Sequence, residues 1–425
     1  MPALPQLPDL PLMLAEVPRA VERRLREAGI PVEPLSDVPL LAAGTGRFVV
    51  FDSRNPHSAA RARQAAVHGL KIIDLRELLP ASDDLPQLLE EDDDSGWQLA
   101  AESAPVNVLL DRLKKAIELL GGVWLRIADY PFPYQSAICL GIEHLSEELA
   151  DFAAIAATLP GKATHFVSSR LRADRLAFLS QAGATDLGWQ IRHDDYKSLP
   201  RRTLAHWTTR QGRFAAGGLQ PGGLALGRDA GPAPETSRLL TLGLRYSCLE
   251  APGVACRAET HLRADDQTPW IRFSTVVLPP RDRILEWVAA HYQSGCPLFL
   301  TASTARLDLV QELLRLAGDA GRCSLMWQTS FGEFSRWWAS RQQLRLQVWH
   351  SETGYEIHAT GETVRYPWAV EIWRGNHVAT VPLRNSTQTI PDEGLVYSQS
   401  LKRNPAGCTM PGDDVRSLVA KPGPR

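Results

Sequence analysis

Lys162-Ala163-Thr164-His165-Phe166-Val167-Ser168 and Asp186-Leu187-Gly188-Trp189-Gln190-Ile191-Arg192-His193-Asp194 are the stretches whose reading decides the fold. Each holds a short apolar run of strand length, bounded by polar or turn-forming residues. Runs of the same kind recur at 123–127, 137–142, 224–226, 244–248, 271–278, 298–301 and 324–328. Amphipathic segments of helical period, such as 147–157, 281–291 and 307–316, separate several of them. Repeated strand-then-helix order predicts a parallel sheet with helices outside, closed as a barrel or wound open.

Working outward, residues 1–120 read as a small α/β unit. Arg47-Phe48-Val49-Val50-Phe51-Asp52, a helical stretch at 59–68 and Leu70-Lys71-Ile72-Ile73-Asp74 form one expected parallel crossover. Gly44-Thr45-Gly46 precedes its strand, so it does not open a helix as a phosphate-binding loop does, and it reads as a turn. Glu90-Glu91-Asp92-Asp93-Asp94 reads as a surface linker. From about 344 to 401 the helices stop. Runs at 346–349, 355–359, 368–373 and 378–383 alternate apolar and polar residues between Gly and Asn turns, which predicts a small antiparallel β domain. The tail at 402–425, rich in Pro, Gly and charge, is expected to be disordered.

Composition removes several function classes. With 46 Lys and Arg against 48 Asp and Glu, the formal charge is −2, which gives no basic face for nucleic acid. No apolar run reaches the roughly 18 residues of a membrane helix, and the N-terminal stretch lacks the basic and apolar regions of a secretory signal. No nucleic-acid or membrane partner is therefore expected. The six cysteines form no CxxC pair, against a zinc ribbon, and a reduced cytoplasmic location is the expectation. No GxSxG elbow is present for a serine nucleophile, and no cysteine has a basic neighbour at a helix start.

The middle of the chain resembles the polysaccharide deacetylases, a family of distorted (β/α) barrels. The likeness is carried by 130–145, ending in Gly141-Ile142-Glu143-His144-Leu145, by 162–168, by 186–194, and by Leu242-Gly243-Leu244-Arg245-Tyr246-Ser247. The stretch 326–338 and the sheet after it are similar to a bacterial subgroup with an added C-terminal β domain. The resemblance implies an N-terminal α/β cap over 1–120, a deacetylase-like barrel over 121–343 and an antiparallel β domain over 344–401. It also implies a divalent metal, commonly zinc, held by an aspartate and two histidines four residues apart. That metal polarises an acetamide carbonyl and activates water, with a nearby aspartate as base and a late histidine as acid.

Carried across residue by residue, little of that set survives. The strand-end aspartates fall on Glu143 and Leu145, the histidine pair on Gln190 and Asp194, and the late histidine on Leu278. An amide and an aliphatic side chain do not replace an imidazole and a carboxylate as ligands. The resemblance thus implies a degenerate, non-catalytic relative binding carbohydrate, an N-acetylated polysaccharide, or a protein partner, with no cofactor expected. The alternative is a metal-dependent hydrolase removing N-acetyl groups at a rearranged site, with zinc or another divalent metal. In that case Glu143 and His193 are the candidate catalytic groups and His144 and Asp194 the candidate metal ligands. Trp189, Gln190 and Arg228 are the candidate substrate contacts. Side-chain alternation sets Glu143 and His144 on opposite faces of their strand, which counts against the rearranged site. His165 reads as a core histidine. The twelve tryptophans, Trp337, Trp338, Trp349, Trp368 and Trp373 among them, read mainly as core, with sugar stacking open to an exposed pair or triple.

Overall fold

A computed structural model describes residues 9–35, 48–79, 104–144, 163–168, 171–181, 186–191, 203–216, 219–226, 243–250, 258–261, 270–277, 284, 288–289, 291–292, 295–303, 308, 311–312, 315, 325–361 and 366–399. The chain gathers into two units, one of 1–93, 100–133 and 340–407, the other of 94–99, 134–339 and 408–425.

The first unit opens with β1 (Leu12–Ala15), α1 (Arg19–Glu27), β2 (Val32–Pro34), β3 (Phe48–Phe51), α2 (Pro56–Val67), β4 (Lys71–Asp74), α3 (Leu75–Leu78), α4 (Ala104–Leu119) and β5 (Trp124–Ile127). Strands β1 to β4 form a parallel sheet in the order β2-β1-β3-β4. The crossover β3-α2-β4 is the one the sequence predicts. Its helix starts where Asn55 accepts hydrogen bonds from the His57 and Ser58 amides and Pro56 takes the first helical position. The crossover β1-α1-β2 was not anticipated, because its strands are only four and three residues long.

The second unit holds β6 (Ser136–Glu143), β7 (Ala163–Ser168), α5 (Ala173–Gln181), β8 (Leu187–Ile191), α6 (Thr203–Ala216), β9 (Gly223–Leu226), β10 (Tyr246–Glu250), β11 (Ala258–His261), β12 (Trp270–Val277), β13 (Leu298–Ser303) and β14 (Met326–Thr329). Helix α7 (Phe331–Gln343) begins in this unit and carries the chain back to the first. There the chain adds β15 (Arg345–Ser351), β16 (Gly354–Thr360), β17 (Ala369–Arg374), β18 (His377–Pro382), β19 (Thr387–Pro391) and β20 (Ser398–Gln399). These make two antiparallel sheets, β15-β16-β19 and β20-β18-β17-β5.

Strand β5 corrects one expectation: residues 123–127 read as one of the strands of the central parallel sheet, but β5 pairs antiparallel with β17. The reason is ionic. Arg126 lies opposite Glu371 in the ladder and its Nε donates to Glu371 Oε2 at 2.7 Å. Its guanidinium also bonds Asp129, which accepts from Arg341 in turn. Arg126 and Arg341 are fully buried, so a register without Glu371 and Asp129 would strand their charges.

In the second unit β6 is apolar and buried almost end to end, as a parallel strand covered on both faces should be. It pairs parallel with β7 and β13, and β14 joins its N-terminal half. Pairing continues through β8, β9 and β10, then from β10 to β12 and back to β13, all parallel. The parallel sheet is therefore curled, its pairings running in a circuit, with β11 antiparallel on β12. On the inner face small and large residues alternate. A Cβ on Gly141 or Gly188 would collide with the Phe166 ring, and one on Gly223 with Tyr246. Phe273 and Phe299 meet at 5.0 Å, and Phe331 from the start of α7 lies 5.0 Å from Phe273.

Candidate functional site

Ligand sites of parallel barrels gather at the C-terminal ends of the strands. At β6 and β8 that end carries Glu143 and Gln190. Gly141 and Gly188 both abut Phe166, so they face the interior, and two residues further on Glu143 and Gln190 share that face. The two side chains meet, with Gln190 Nε2 donating to Glu143 Oε2 at 3.0 Å. Gln190 is only 9% exposed, and its Oε1 has no hydrogen-bond partner among the described residues. The amide orientation follows from the neighbour, because a carboxylate needs the NH₂ end. A buried amide oxygen without a donor is costly, on the order of 1–3 kcal/mol. Such an atom marks a place where a ligand N–H or O–H fits.

The other predicted residues separate from this pair. Trp189 lies on the opposite face of β8, fully buried, with Phe214 of α6 edge-on at 6.1 Å. It offers no surface to a substrate. His144 also lies away from Glu143. Its Nε2 sits 3.1 Å from His165 Nδ1, and both rings are buried. Burial, then the neighbouring His165, lowers the His144 pKa to about 3, and burial lowers that of His165 to about 4. The two imidazoles are thus neutral at physiological pH and bonded to each other. His193, Asp194 and Arg228 lie outside the described residues.

The metal that the family resemblance implies can be tested against this donor set. Among the described residues no three His, Cys, Asp or Glu side chains gather as ligands. Among the described residues the mouth presents the Glu143 carboxylate and the Gln190 amide, already bonded to each other, and the imidazole pair His144–His165 lies on the other face. These residues do not fit a zinc site.

The opposite end of the sheet holds a cluster that sequence reasoning missed. Asp186, just before β8, is 8% exposed and accepts from Thr164 Oγ1, the Ser330 hydroxyl and the Gly332 amide, the last at 2.9 Å. The Phe331 amide donates to Thr164 Oγ1 at 2.9 Å, and the Glu333 amide to Ser330 Oγ at 3.1 Å. The first turn of α7 is therefore satisfied by side chains of β7, β8 and its own cap. Burial raises the Asp186 pKa, with its hydrogen bonds opposing the shift. Two signals were available: Ser330-x-x-Glu333 has the spacing of a capping box, and an aspartate at the start of an apolar strand needs a partner.

The fold so described is a mixed α/β chain with a curled parallel sheet and separate antiparallel sheets. It is similar to a protein from Mycobacterium smegmatis provisionally described as a polysaccharide deacetylase, at a TM-score of 0.35 and 12% identity over 49% of this chain and 91% of that chain. It is also similar to a 4-alpha-glucanotransferase from Thermococcus litoralis, at a TM-score of 0.31 and 12% identity over 47% of this chain and 38% of that chain. No protein-family model and no curated protein matches the sequence. No described helix is long and apolar enough to cross a membrane.

Proposed function

We propose that this chain is a non-catalytic, polysaccharide-deacetylase-like protein that binds an N-acetylated glycan at the mouth formed by Glu143 and Gln190. The observation that carries the reading is the unpartnered Gln190 Oε1 beside the Glu143 carboxylate. One buried acceptor, without a partner among the described residues, awaits a donor beside a half-buried carboxylate. Sugar hydroxyls and the acetamide N–H are donors of that kind. On this reading the Glu143 carboxylate and the Gln190 amide serve as hydrogen-bond partners of the acetamide and hydroxyl groups and not as hydrolytic groups.

The test uses the full chain purified without chelators, its metal content read by elemental mass spectrometry, and N-acetylglucosamine oligomers titrated calorimetrically. The expected result is saturable binding without acetate release and without bound metal. Gln190→Leu and Glu143→Ala should each weaken binding about tenfold or more, the cost of about 1.4 kcal/mol for one polar contact. Near-stoichiometric metal with acetate release, or no binding by the wild-type chain, overturns the proposal.

A further inference from the structure

We propose that the ligand of the mouth is an oligosaccharide at least two rings long, lying across the ends of β8, β7, β6 and β13, and that Ser303 of β13 is its second anchor. It rests on the glycan-binding reading above and extends that reading from one pair of side chains to an arc of four. Strand register builds the arc. Glu143 of β6 lies beside Ser303 of β13, and Gln190 of β8 beside Ser168 of β7. Residues paired across a parallel ladder share a face, and side chains two apart along a strand share it as well. The Phe299 ring meets Phe273 and Phe331 in the interior, which puts Ser303, four residues on, on the inner face. Phe166 packs on Phe331 and against Gly141 and Gly188, which does the same for Ser168 two residues on.

Burial marks where the arc opens. One step deeper on the same strands, Thr301, Gly141, Phe166 and Gly188 are buried, whereas Ser303, Glu143 and Ser168 are half-buried. The sealed interior therefore gives way to an accessible rim at this level. The rim is not alike all the way round. Beyond Gln190 the same row continues with Ala225 of β9 and Cys248 of β10, both small and buried, and Thr275 of β12 is buried too. Among the described residues the half-buried polar groups thus follow one side of the mouth, in the order hydroxyl, carboxylate, hydroxyl, and end on the buried Gln190 amide. Three gaps of about 4.8 Å between neighbouring strands make that arc about 14 Å long, more than one pyranose ring covers. A chain of linked sugar rings offers a hydroxyl or an acetamide at each step along such a line. Ser303 forms no hydrogen bond with a described residue, so its hydroxyl can turn to donate to a ligand or to accept from one.

The experiment titrates the full chain calorimetrically with N-acetylglucosamine and with its linear dimer and tetramer, comparing wild type, Ser303→Ala, Ser303→Thr and Gln190→Leu. Thermal unfolding of each variant confirms that it is folded. Wild type is expected to bind the tetramer more tightly than the monomer. Ser303→Ala should lose about threefold to tenfold in tetramer affinity, the worth of one neutral hydrogen bond, while monomer binding changes by less than about twofold. Ser303→Thr, which keeps the hydroxyl, should retain the tetramer affinity, and Gln190→Leu should weaken all three ligands. If Ser303→Ala binds the tetramer as wild type does, or loses as much affinity for the monomer, the arc is refuted and the mouth reading stands. If Ser303→Ala loses tetramer affinity and Gln190→Leu loses none, the Ser303 anchor stands and the reading centred on Gln190 fails. If the wild type binds none of the three, both fail.

Discussion

The two ends of the curled parallel sheet each place a carboxylate on the inner face, and they use it in opposite ways. At the end where the strands begin, Asp186 is nearly sealed from solvent and accepts from two hydroxyls and a backbone amide. At the end where they finish, Glu143 is half-buried and bonded to the Gln190 amide, whose own oxygen has no partner among the described residues. A buried polar group with its bonds satisfied is a structural fixture. One that leaves an acceptor unfilled is open to a ligand. The difference teaches that the state of the hydrogen bonds, not the residue type, separates scaffold from candidate site here.

The largest expected effect comes from breaking the sealed end. Asp186→Ala removes the acceptor for Thr164, Ser330 and Gly332 and should cost on the order of 3 kcal/mol or more of stability in urea denaturation. Asp186→Asn, neutral and still an acceptor, should cost clearly less. Equal losses for the two variants would contradict the account of a satisfied, burial-strained carboxylate.

Acid should weaken the scaffold next. His144, His165 and His291 have pKa values lowered by burial to about 3, about 4 and about 4, against 6.5 for a free imidazole. Above pH 6.5 they are neutral folded and unfolded, so their contribution is flat. As pH falls below 6.5 the unfolded chain takes up protons that the folded one refuses. Stability then drops by roughly 1.4 kcal/mol per pH unit for each independent histidine until the folded values are reached. Urea midpoints at pH 7.5, 6 and 5 read this slope, and His291→Gln should flatten it; an unchanged slope would show that another group drives it.

The mouth should behave in the reverse sense. Gln190→Leu removes an unsatisfied oxygen, so its stability should stay within about 1 kcal/mol of wild type while sugar affinity falls. A loss of several kcal/mol would mean that Gln190 is a fixture like Asp186. The smallest effect on folding is expected from Glu356→Gln on the exposed face of the β15-β16-β19 sheet, within about 0.5 kcal/mol in the same urea measurement.

Much of the fold was legible. The buried strands β6, β7, β8 and β13 and the crossover β3-α2-β4 stand within a few residues of their sequence-predicted positions, because dense apolar runs and turn residues are local signals. Strands β1, β2, β11, β19 and β20 were not named; they are five residues or fewer and carry few apolar residues or no clear periodicity. At the site, Glu143 and Gln190 were named and do meet. Trp189 and His144 were named beside them and lie on the other face, since adjacent strand residues point in opposite directions. The Asp186 cluster went unread because its partners come from three places far apart in the chain, Thr164, Ser330 and Gly332.

By itself the sequence determined where the dense apolar strands β6, β7, β8 and β13 and the crossover β3-α2-β4 form, and that few of the metal ligands implied by the family resemblance occur at the matching positions. Those properties depend on side-chain type and short-range order. Only the tertiary structure decided that β5 belongs with β17, that pairing runs from β10 to β12, that Gln190 Nε2 meets the Glu143 carboxylate, and that Trp349, Glu356 and Thr389 share a row. Each depends on which distant segment arrives alongside. Register and burial, set by packing between residues remote in sequence, settle that.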